Sequence, residues 1–77
     1  MNQMVIGSRN VRAIAGTIAN RRKSLGMTQS QLSERSGISQ GMISMIESGT
    51  KRPAIGMLVS ILEALDLVLK IEENKKS

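Results

Sequence analysis

Apolar residues recur at helical spacing in successive stretches of the chain. Val11, Ile14 and Ile18, with Leu25 as a further member, stand three, four and seven positions apart. That spacing puts them on one face of a helix that either Ser8 or Asn10 caps and Gly26 stops. Thr28 is followed three positions on by Gln31, a capping box that satisfies two otherwise unpaired backbone donors and starts a second helix. This helix is short, because Gly37 follows closely and suits a left-handed cap. Ser39 then caps a third helix, Gln40 to about Glu47, closed by Gly49. Two short helices therefore flank a tight glycine turn. Pro53 marks the start of a fourth, about Ile55 to Leu65, in which Ile55, Leu58, Ile61, Leu62 and Leu65 form one apolar stripe. Ala54 is a poor cap, so this helix must depend mainly on packing.

After the fourth helix the period changes from helical to two. Leu67, Leu69 and Ile71 fall on one side and Lys70 and Glu72 on the other, which predicts a strand over 67–73. Leucine and lysine also favour helix, so extension of the fourth helix stays open. Residues 1–7 show no periodicity and read as a flexible arm, and 74–77 as a frayed tail, leaving 8–66 as the helical domain. The fold class is all-α with one short C-terminal strand. A lone strand needs an edge to pair with, and the simplest source is the same strand of a second copy, antiparallel. Leu67, Leu69 and Ile71 then form a dimer interface.

The composition strengthens the case for a dimer. Seventy-seven residues support only a marginal core, and with no cysteine or histidine the chain has neither a disulfide nor a zinc site to reinforce it. Association with a second chain is the expected substitute. Charge is uneven: residues 1–60 hold eight basic residues against two acidic ones, and residues 61–77 three against four. The basic part suits a polyanion, since every phosphate contact releases counterions. No base, nucleophile or metal cluster can be assembled, so neither catalysis nor a cofactor is expected. The start MNQMVIGSRN lacks the pattern of a signal peptide, and Met57 to Leu69 is interrupted by Ser60, Glu63 and Asp66, so a cytoplasmic protein without a membrane span is expected.

Leu25-Gly26-Met27-Thr28-Gln29, Leu32, Ser36-Gly37-Ile38-Ser39, Ile43-Ser44, Ile46-Glu47-Ser48-Gly49 and Lys51-Arg52-Pro53 occur in one ungapped order. In that joint spacing the chain resembles the Xre/Cro family of helix-turn-helix proteins from about Ile14 to Leu65. The resemblance implies a lambda-repressor-like domain of four to five helices that binds double-stranded DNA at a palindromic operator as a homodimer. Leu32, Ile38, Ile43 and Ile46 then belong to the core. The third helix enters the major groove, with Gln40 the first candidate for reading a base, because its amide pairs bidentately with adenine. Ser44 lies one turn on, toward a base or a phosphate, while Gly41 leaves room but reads nothing itself. Met42 and Met45 fit either core filling or a thymine methyl; Met45 joins the base-reading set.

Gln29 is placed by the resemblance to hold a phosphate and brace the reading residue. Thr28, Ser39, Ser48, Lys51 and Arg52 are further phosphate candidates, with Thr28 and Ser39 also capping. Arg22 and Glu47 match an internal ion pair. Ala54 and Gly56 depart from the pattern, replacing the polar residues usual at the start of the fourth helix. The leucine-rich strand that follows resembles the HipB-like antitoxin branch, which implies autorepression and a HipA-like kinase toxin as partner.

Overall fold

A computed structural model describes residues 2–6 and 11–71, with side chains described for 13–68. Among the described residues the order is β1 (Asn2–Ile6), α1 (Val11–Ser24), α2 (Gln29–Ser36), α3 (Gln40–Glu47), α4 (Ile55–Ala64) and β2 (Leu67–Ile71). The candidate caps of the first helix, Ser8 and Asn10, lie outside the described residues.

Local chemistry sets the element boundaries. At the end of α1 the chain turns through Gly26 at φ 68°, and the Arg22 carbonyl takes the Met27 N–H at 3.1 Å. Thr28 caps α2: its hydroxyl oxygen accepts from the Gln31 N–H at 3.0 Å, and the Thr28 N–H donates back to Gln31 Oε1 at 2.8 Å. Gly37 closes α2 in the left-handed region, at φ 76° and ψ 8°, with its N–H on the Ser33 carbonyl. A residue with a Cβ is strained there. Ser39 caps α3 through the Met42 N–H at 3.2 Å. Ala54 gives α4 no side-chain cap, so packing carries this helix.

The core comprises Ile18 of α1, Met27, Leu32 of α2, Ile43 and Ile46 of α3, Leu58, Ile61 and Leu62 of α4, then Leu65 and Leu67. Ile14, Ile38 and Met42 pack against it, half-buried. Two members of the expected apolar faces stand outside: Ile55 is 59% exposed and Leu25 39%. Each sits at a helix end, where the chain has not yet reached the core or has already left it.

The largest departure from the sequence reading is at the N terminus. Residues 2–6 form a strand rather than a loose arm, and this strand pairs parallel with β2 in register Asn2↔Leu67 to Ile6↔Ile71. Parallel strands cannot be joined by a tight turn and need a long crossover; here the run from α1 to α4 supplies it. The C-terminal strand is therefore present, but it has a partner within its own chain. Leu67, expected at a dimer interface, is 6% exposed and belongs to the core of its own chain. Asp66, the hinge between α4 and β2, has φ 57°, and the Arg21 side chain reaches across to donate to the neighbouring Leu65 carbonyl at 3.0 Å.

Candidate nucleic-acid interface

Helix α3 divides cleanly into two faces. Ile43 and Ile46 are buried, with Met42 half-buried beside them, while Gln40, Gly41, Ser44 and Met45 are exposed. The two methionines thus part company: Met42 packs against the core and Met45, 40% exposed, does not. The side chain of Gln40, the first residue of α3, makes no hydrogen bond among the described residues, so both ends of its amide are free. Ser44 lies one turn further on with its hydroxyl likewise unengaged.

An ion pair anchors the opposite end of α3. Arg22 Nε donates to Glu47 Oε2 at 2.7 Å and Nη2 to Oε1 at 3.0 Å, a bidentate fork. Arg22 Nη1 also donates to the Met27 carbonyl at 2.8 Å. The two side chains are only 11% and 7% exposed. Burial disfavours the charged form of Glu47, but hydrogen bonds from Arg22 and Gln29, with the positive charges of Arg22 and Lys23, outweigh it and hold its pKa below the ordinary value. The hydrogen bond to Glu47 does most to raise the pKa of Arg22, against the opposing effect of burial.

Gln29 enters this network in an unforeseen way. Its Nε2 donates to Glu47 Oε1 at 3.0 Å, and no hydrogen bond joins it to Gln40 among the described residues. What Gln29 braces is the Arg22–Glu47 pair. The same bond ties the first residue of α2, Gln29, to the last residue of α3, Glu47.

The remaining phosphate candidates differ in what they have left to offer. Thr28 and Ser39 use their oxygens as cap acceptors, which leaves each hydroxyl proton free to be donated outward. The Ser48 hydroxyl donates to the Met45 carbonyl at 3.0 Å and lies 2.7 Å from Thr50 Oγ1. Its single proton is spent inside the loop, which makes Ser48 a weaker donor to an external oxygen than sequence alone suggested. The loop itself is pinned, because the Thr50 and Lys51 N–H groups both donate to the Met45 carbonyl, at 2.9 and 3.1 Å. Lys51 and Arg52 are exposed and have no carboxylate partner among the described residues. Leu69 and Ile71 have described backbones only, so their expected interface role lies outside the described side chains.

The arrangement is a helix with an unpaired amide at its leading end, a bare outer face, and free cations just beyond its trailing end. No helix is long and apolar enough to cross a membrane, among the described residues.

A family model described as helix-turn-helix matches residues 18–69, more than half of the chain. An uncharacterized HTH-type transcriptional regulator of Sinorhizobium fredii is 44% identical over 54 residues, covering 70% of this chain and 28% of that protein. A second, from Haemophilus influenzae, is 35% identical over 71 residues, covering 91% of this chain and 72% of that protein. The chain thus spans little more than a quarter of the first relative's length and most of the second's. With the capped helices either side of Gly37 and a match over residues 18–69, the chain belongs to the Xre/Cro-type helix-turn-helix family.

Proposed function

We propose that the protein is a sequence-specific DNA-binding transcriptional repressor that seats α3 in the major groove and acts as a homodimer on a palindromic operator. The observation that carries this reading is the outer face of α3, where the Gln40 amide is free and no core contact competes for Gly41, Ser44 or Met45. Lys51, Arg52 and the hydroxyls of Thr28 and Ser39 supply phosphate contacts that fix the register. Both relatives are named as transcriptional regulators, which supports the same reading. The dimer is compatible with the intrachain sheet, because β1 occupies one edge of β2 and a strand has two. Antiparallel pairing of β2 with its counterpart then makes a four-stranded sheet with β1 strands outermost.

Selection from a random duplex library tests this directly. The expected outcome is one enriched palindrome with half-site centres about 34 Å apart, bound by a species of twice the monomer mass in sedimentation, with affinity falling steeply as salt rises. No enriched sequence, or a site without twofold symmetry bound by a monomer, overturns it.

The narrower part of the proposal is that the repressor is the autoregulating antitoxin of a HipBA-like pair, holding a HipA-like kinase toxin. Its support is the leucine-rich strand after α4 and the change of charge sign beyond residue 60. Co-expression with the product of an adjacent kinase-like reading frame should give one co-eluting complex that binds the operator. Separate elution leaves a stand-alone repressor.

A further inference from the structure

Of the residues on the outer face of α3, the most central is a glycine. At about 100° per residue, Gly41 lies on the side of the helix opposite Ile43 and Ile46, with Ser44 and Met45 to either side of it one turn on. Glycine is an unfavourable choice in a helix, and the fold does not require it at this position. A Cβ added at Gly41 would meet nothing within 4 Å, and its backbone is not among those with positive φ. Gly16 and Gly56 also have open space, so room alone means little. What sets Gly41 apart is its position, adjoining Gln40 and facing whatever α3 faces.

Resting on the reading of α3 as the base-reading helix, we propose that Gly41 is a specificity-determining position. Its missing side chain leaves a notch, walled by Gln40, Ser44 and Met45, that accepts the C5-methyl group of a thymine. The chemistry is complementary. The thymine methyl is the apolar group that projects from base edges into the major groove. The notch offers it a methylene floor at Gly41 and the part-exposed, polarizable side chain of Met45. A side chain at position 41 would occupy the space and hold the helix off the base edges.

The test uses the whole protein and a duplex selected from a random library by the parent protein. Each thymine of the selected half-site is replaced in turn by deoxyuridine, which removes only the methyl group. At one position per half-site the parent should lose about fourfold in affinity, the worth of one buried methyl-sized group. Gly41→Ala should show no loss at that position, because its own methyl already fills the notch. Its thermal midpoint should be no lower than the parent's, and Gly16→Ala should keep the parent's thymine dependence. If Gly41→Ala responds to every deoxyuridine substitution as the parent does, the notch is not where the methyl sits and the inference fails alone. If the parent enriches no sequence at all, the reading of α3 fails first and takes this inference with it.

Discussion

Glu47→Gln is expected to lower stability at neutral pH by about 2–4 kcal/mol, as expected when one partner of a largely buried ion pair is removed. A domain of this size is stable by only about 4–12 kcal/mol in all, so the loss is a large share. The cost arises less from the missing attraction than from what is left behind. The Arg22 guanidinium, 11% exposed in the parent, loses its counter-charge and keeps the Met27 carbonyl, while a glutamine amide presents one acceptor oxygen and an NH2 group where the carboxylate offers two oxygens to Arg22 and Gln29. Replacing both partners together, as Arg22→Met with Glu47→Leu, should recover much of the loss, because two apolar groups leave no charge stranded.

The sign of the pH dependence follows from the depressed pKa of Glu47. A carboxyl whose folded pKa lies below its unfolded value of 4.5 contributes stability that is fully present above 4.5 and is lost as pH falls through the folded value. The gap between parent and Glu47→Gln should therefore be constant from neutrality to about pH 5 and close on further acidification. Chemical denaturation followed by circular dichroism at a series of pH values measures it. A gap of unchanged size at about pH 3 would show that the charge of Glu47 is not what stabilises the fold.

What was legible in the sequence was chemistry acting over three or four residues. The reciprocal bonds of Thr28 and Gln31, the left-handed Gly37 and the Ser39 cap each follow from one residue type meeting one neighbour, and they fix α2 and α3 with their faces. Interactions between distant residues were not legible. Residues 2–6 read Asn-Gln-Met-Val-Ile, with no alternation to mark a strand, and their pairing with β2 exists only because four helices return the chain to the same place. The burial of Leu67 and the exposure of Ile55 have the same origin: periodicity gives a face, but not how far along the element the core extends. In the candidate site, the sequence marks Gln29 as polar and well placed, yet its partner, Glu47, lies eighteen residues away. Spacing alone does not separate Met42 from Met45; the angle of α3 against the core does, burying one side and exposing the other.

Gln40→Ala should weaken binding to the operator by about 1–3 kcal/mol per half-site, and so by up to about twice that for a dimer that engages both. Gln40 has a free amide at the leading end of α3, and removing it disturbs nothing inside the subunit. An exposed side chain without a hydrogen bond contributes within about 0.5 kcal/mol to the fold, so stability and recognition separate at this residue. Recognition itself then separates into two parts. Gln40 carries no charge and releases no counterion, so its loss should leave the slope of affinity against salt unchanged while abolishing most of the preference for the selected duplex over a scrambled one. Lys51→Ala should do the opposite, weakening both duplexes alike and reducing the slope by about 1 per half-site engaged. Titrations of the two variants against both duplexes at several salt concentrations distinguish a base-reading amide from a phosphate contact. A Gln40→Ala protein that still discriminates as the parent does would move base reading to Ser44, Met45 and the notch at Gly41.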